Sequence, residues 1–151
     1  MQRGCEISWE VVVMPKLAVG LVIGMSLALG SPLVAQELVH TKDSIATVKE
    51  NLAAKKAVLV DVREANEWEA GHIRGAIHLA MSELADDARL KEITKKLDKS
   101  KIIYTYCKSG GRAVIAGDWL KQQGFDVRPL KAGFQELRTQ GLGNSVPGPQ
   151  E

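Results

Sequence analysis

A chain of 151 residues makes one domain and leaves little for a second. Apolar residues at 45% and charged residues at 25% are ordinary globular proportions, which excludes disordered, collagen-like and coiled-coil chains. Twenty Lys and Arg against eighteen Asp and Glu leave +2, too balanced for the basic stripe of a nucleic-acid binder. Two cysteines supply neither a disulfide framework nor a four-ligand structural zinc site.

The N-terminal region reads as an address. Leu17 to Gly30 is a run of fourteen uncharged residues, short of the roughly 20 that a membrane span needs. It suits the apolar region of a secretory signal, with Lys16 as its positive flank, Ser31-Pro32 as its break and Ala35 at the cleavage position. Residues 1–35 are therefore expected to be a signal peptide, and the domain to be periplasmic or secreted. Residues 1–13 make a poor positive leader, so Met14 is the expected initiator. An uncleaved anchor extended by Val11–Val13 is the alternative; the membrane enters only through the signal or that anchor. Cleavage removes Cys5 and keeps Cys107, which then has no internal disulfide partner.

Ile45, Val48 and Leu52 fall at helical spacing, and Asp43 offers a cap, so a helix is expected over 44–55. Residues 57–62 (AVLVDV) are a short β-branched run of the kind covered on both faces of a sheet. A short helix over 64–70 stops at Gly71, and residues 76–79 are a second apolar run. Leu90, Ile93 and Leu97 predict a helix near 88–98, and residues 101–106 (KIIYTY) a further strand. Ala113, Ala116, Trp119 and Leu120 mark a helix over 112–123 ending at Gly124. Residues 127–130 read as a strand, and Phe134 with Leu137 as a last helix before a flexible tail over 141–151. This alternation predicts a three-layer α/β domain with a mostly parallel sheet of about five strands. Ligands collect outside the carboxyl ends of strands in such sheets, and Cys107 stands at one of those ends.

Around Cys107 the chain runs strand, Cys107-Lys108-Ser109-Gly110-Gly111-Arg112, helix. Two glycines permit positive φ and close backbone approach, so that successive N–H groups turn inward as an anion nest. The following helix presents unpaired N–H donors and about half a positive charge at its N-terminus. Lys108 and Arg112 add two full charges. Cysteines in such settings have pKa values of about 3.5–7.5 instead of about 8.5, so Cys107 is expected to be a reactive thiolate in an exposed, charged cradle. The bland alternative is a buried small hydrophobe beside a tight turn. Cysteine phosphatases use C-x5-R, whereas this loop is C-x4-R. One residue fewer shortens the contour by up to about 3.8 Å, so the ring suits one extra sulfur better than a phosphoryl group.

Together, Val60-Asp61-Val62-Arg63 with Glu67-Trp68, Gly71-His72-Ile73-Arg74-Gly75-Ala76, Tyr106 to Ala113, and Leu130-Lys131-Ala132-Gly133-Phe134 resemble the rhodanese family. The resemblance spans roughly residues 38–140, implying a domain over 36–140. It is nearest to the exported single-domain sulfurtransferases of the phage-shock protein E type. Arg74 departs from it, since many relatives have Pro there. The resemblance implies transfer of a sulfane sulfur from thiosulfate to cyanide or a thiol through a Cys107 persulfide, with no metal or organic cofactor. It makes Cys107 catalytic and Lys108, Ser109, Gly110, Gly111 and Arg112 the substrate-binding residues, with Lys108 and Arg112 attracting the anionic donor. A non-catalytic rhodanese-like module that docks partners is the alternative from another class; a cysteine phosphatase or arsenate reductase is the remaining one. Asp61 is read as a structural acceptor for Arg63 and nearby amides, His72 as a hydrogen-bonding residue of its turn, and Trp68 and Trp119 as packing residues.

Overall fold

Strands β1 (Ala57–Asp61), β3 (Ile77–His78), β4 (Ile102–Tyr106) and β5 (Asp126–Val127) form a parallel sheet in the order β3-β1-β4-β5. The computed structural model describes residues 39–142 and the backbone of residues 145–146. The expected signal peptide lies outside the described residues. The chain steps from β1 out to β3, then crosses back over β1 to β4 and on to β5. This reversal puts the carboxyl ends of β1 and β4 side by side, the position where open parallel sheets bind ligands. Their register pairs Ala57 with Ile102 and Asp61 with Tyr106, so Val62 and Cys107 leave the sheet together.

Period-two alternation divides the core into two clusters. Val60, Val62, Ile103 and Cys107 face helices α3 (Met81–Leu84), α4 (Asp87–Thr94) and α5 (Gly111–Gln122), against Leu84, Leu90, Ala113, Ala116 and Leu120. Ala57, Leu59, Tyr104 and Tyr106 face α1 (Ile45–Ala53) and α6 (Phe134–Thr139), against Val48, Phe134 and Leu137. Helix α2 (Ala65–Glu69) follows β1 directly. The three-layer expectation therefore holds, with four parallel strands.

Several local expectations are corrected. Ser44, not Asp43, caps α1, its hydroxyl accepting from the Thr47 N–H at 3.1 Å. Helix α4 ends at Thr94 instead of near residue 98, because the amides of Lys96 and Leu97 turn back to Ile93 and Thr94, three residues behind them. Asp98 then accepts from the Ser100 N–H, a side-chain turn that competes with further helix. Pairing over 127–130 is interrupted at Pro129, which has no N–H, although the amides of Arg128 and Leu130 still reach the carbonyls of Ile103 and Thr105. The tail is not wholly irregular: β6 (Ser145–Val146) pairs antiparallel with β2 (His72–Ile73).

Candidate functional site

Residues 107–110 carry the chain from β4 into α5. Gly110 stands at the N-cap position with φ +90°, a conformation that an L side chain resists. That torsion turns the Gly110 amide back into the loop, where its N–H donates to Cys107 Sγ at 3.1 Å. Lys108, Ser109 and Gly111 are exposed around the rim, Arg112 is half-buried, and Gly110 is buried. The six expected residues lie at consecutive positions of this turn, with the Gly110 amide on the sulfur.

Cys107 carries a free thiol but is only 1% exposed, which corrects the expectation of an exposed cradle. The cause is strand register. Cys107 continues the alternation of Ile103 and so points to the α5 side, under the loop and against Ala113. Burial therefore agrees with the bland alternative, while the amide aimed at the sulfur does not: a cysteine that only packs needs no such donor.

The segment after β5 clamps the loop from the other side. The Phe134 N–H donates to the Cys107 carbonyl at 2.9 Å. A Cβ at Gly133 would overlap the Lys108 carbonyl oxygen and lie 2.8 Å from the carbonyl carbon, so only glycine lets the two segments meet. The lone glycine in Lys-Ala-Gly-Phe is the sequence signal for this contact. Beside Ser109 a cleft of about 490 Å³ opens between Thr41, Asp43, Lys131 and Glu136.

Glu67 and Arg112, 45 residues apart in sequence, meet in a forked pair: Nη1 donates to Oε2 at 2.6 Å and Nη2 to Oε1 at 2.9 Å. The hydrogen bonds from Arg112 hold the Glu67 carboxyl below the usual carboxylate range, and the same contact raises Arg112. Arg112 therefore presents a neutralised pair, not the bare cation expected for capturing an anion. Glu67 is a residue that sequence reasoning misses, having no local signal beyond the motif that contains it.

Behind this pair stands a buried brace. Asp61 accepts from the Arg63 backbone N–H at 3.0 Å and from Nη2 at 2.6 Å, in the structural role expected of it. Arg63 also donates to the carbonyls of Glu67 and Gly71 and lies 3.9 Å over the Phe134 ring. One guanidinium thereby ties the end of β1 to α2 and to the first residue of α6. Trp68 is stacked between His72 at 3.6 Å and His78 at 4.7 Å. A carbonyl only accepts, so His72 Nδ1 carries the proton it donates to Trp68 O, at 3.2 Å. Trp119 packs half-buried against the α5-side core, as expected.

Comparison with known proteins bears on the family and the fold. Residues 44–140 match the family profile of the rhodanese-like domain. The chain is 36% identical over 83 residues to the uncharacterized protein YqhL of Bacillus subtilis, covering 54% of this chain and 61% of YqhL. It is 37% identical over 79 residues to the thiosulfate sulfurtransferase GlpE of Coxiella burnetii, covering 52% of this chain and 68% of GlpE. Among solved structures it resembles the BH2092 protein of Bacillus halodurans, with a TM-score of 0.57 and 28% identity over 68% of this chain and 73% of that one.

Proposed function

The chain belongs to the rhodanese-like domain family, and we propose that it is a sulfurtransferase that carries sulfur from thiosulfate to cyanide or a thiol on Cys107. The observation that carries the reading is the Gly110 N–H donating to Cys107 Sγ at 3.1 Å, inside a loop whose remaining amides open α5. A donor aimed at sulfur is placed to hold the charge of a persulfide one bond further out. The similarity to GlpE, named a thiosulfate sulfurtransferase, supports the same reaction class.

In the proposed cycle the Cys107 thiolate attacks the outer sulfur of thiosulfate. The Sγ–S bond forms as the donor's S–S bond breaks, and sulfite leaves with the electron pair. Cyanide or a thiolate then attacks the outer persulfide sulfur, and the pair returned to Sγ restores the thiolate. Charge balances in both halves, and no metal or organic cofactor enters the proposal. Lys108 at the exposed rim draws the dianion in, while amides of residues 108–112 hold the sulfur. Thiosulfate suits a buried nucleophile because its reacting atom is a single terminal sulfur, the narrowest part of the molecule.

The test is thiocyanate formation from thiosulfate and cyanide. Turnover that disappears in Cys107→Ser supports the proposal; no turnover at millimolar donor overturns it. The 1% exposure of Cys107 favours a second reading, a non-catalytic module that docks partners, and that negative result would leave this reading standing. As part of the proposal, residues 1–35 direct export. N-terminal sequencing of the exported protein would then begin near Gln36, whereas a cytosolic chain retaining the leader refutes it.

A further inference from the structure

We infer that His40 is a positioning residue for the sulfur cradle, acting through the Gly110–Gly111 peptide; the inference rests on the sulfurtransferase reading. His40 Nε2 lies 3.3 Å from the Gly110 carbonyl oxygen. A carbonyl accepts only, so Nε2 carries the proton and donates. The same oxygen receives the Val114 N–H at 3.3 Å, the first bond of α5. Two donors from different parts of the chain therefore hold one carbonyl, His40 being the one that does not belong to the helix.

The chain before α1 is fastened so that the imidazole stays there. The Thr41 N–H donates to the Pro129 carbonyl at 2.7 Å. Asp43 accepts from Tyr104 Oη at 2.6 Å and from Arg128 Nη1 at 2.9 Å, which holds its carboxyl below the usual range. Asn51 of α1 supports the same tyrosine with a bond of 2.9 Å. His40 is thus presented by a strapped segment, and little entropy remains to be lost when its hydrogen bond forms. Glycine at 110 makes the room: a Cβ there would stand 2.9 Å from Nε2.

The effect on sulfur follows from peptide geometry. Among the described residues every peptide is trans, so the Gly111 N–H points opposite to the Gly110 carbonyl. As the first residue of α5, Gly111 has no intrahelical acceptor for that N–H. Donation into the carbonyl polarises the peptide and strengthens the N–H on its other side. His40 thereby fixes and sharpens a donor available to the persulfide anion without touching sulfur.

The experiment compares wild type, His40→Leu and His40→Gln, in which the Gln amide nitrogen keeps a donor at about the reach of Nε2. Losing one hydrogen bond that acts on the transition state lowers kcat for thiosulfate-to-cyanide transfer about 3- to 10-fold in His40→Leu. KM stays within about twofold, and His40→Gln recovers most of the loss. The Gly111 amide nitrogen resonance shifts in His40→Leu and returns in His40→Gln. In wild type, the imidazole nitrogen signals report the Nε2-protonated form. An active wild type with His40→Leu unchanged, His40→Gln no better than His40→Leu, or an Nδ1-protonated imidazole overturns this inference alone. A wild type that never forms persulfide overturns the function reading and the inference together.

Discussion

Gly110→Ala places a methyl group where three elements already meet. Its Cβ would stand 2.8 Å from the Lys131 carbonyl oxygen, 2.9 Å from His40 Nε2 and 3.3 Å from the Leu130 carbonyl oxygen. Two of those neighbours are backbone, so they cannot rotate away. The left-handed torsion of +90° costs a residue with a Cβ about 1–2 kcal/mol. Overpacking against the backbone adds about 1–3 kcal/mol. The expected loss of about 2–5 kcal/mol is a large part of the roughly 5–15 kcal/mol that holds a domain together. Relief by displacement moves the amide that donates to Sγ, and a shift near 1 Å in a catalytic group slows reaction on the order of 100-fold. Urea unfolding measures the first effect, and the rate of sulfite release from thiosulfate the second. Adding His40→Ala to Gly110→Ala removes one of the overlaps and should recover part of the stability. A Gly110→Ala protein within about 0.5 kcal/mol of wild type and equally fast would mean that neither the torsion nor the close contacts matter at this position.

Further outcomes are expected at three residues. Glu67 has a depressed carboxyl, so the unfolded chain binds the proton more readily, and stability from the Arg112 pair is present at neutral pH. It is lost as pH falls below the ordinary carboxylate range of about 4, and thermal melts of Glu67→Gln should show a shallower decline there than wild type. At neutral pH the same variant frees Arg112 and lowers KM for thiosulfate; an unchanged or raised KM contradicts the neutralised-pair account. Because Cys107 is 1% exposed, small alkylating agents should modify it faster than a bulky aromatic disulfide, and equal rates would mean that the loop is open. Among the described residues the buried Tyr106 hydroxyl has no hydrogen-bond partner of good geometry, so Tyr106→Phe should leave the melting temperature unchanged or raise it by a few degrees.

The parts of this molecule legible in the sequence are those whose signal is local. AVLVDV and KIIYTY announce buried parallel strands because both faces are covered, and Gly110-Gly111 announces a sharp strand-to-helix turn because its torsion demands glycine. The two-residue strands β2 and β6 carry no period to read, and their pairing joins residues more than 70 apart. The helix α3 is four residues long and equally silent. At the site, Cys107 and its loop could be found from spacing, while Glu67 on Arg112 and His40 on Gly110 could not: each is a contact across the carboxyl edge of the sheet, made by topology. Strand alternation, continued two residues past Thr105, places Cys107 on a buried face, whereas the loop's charge alone suggests exposure.

The most direct measurement is the intact mass of the protein after thiosulfate and again after cyanide. Sulfur transfer on Cys107 predicts a gain of one sulfur atom, absent in Cys107→Ser and reversed stoichiometrically by cyanide with release of thiocyanate. A folded wild-type protein whose mass never changes, or a sulfur adduct that survives in Cys107→Ser, would contradict it.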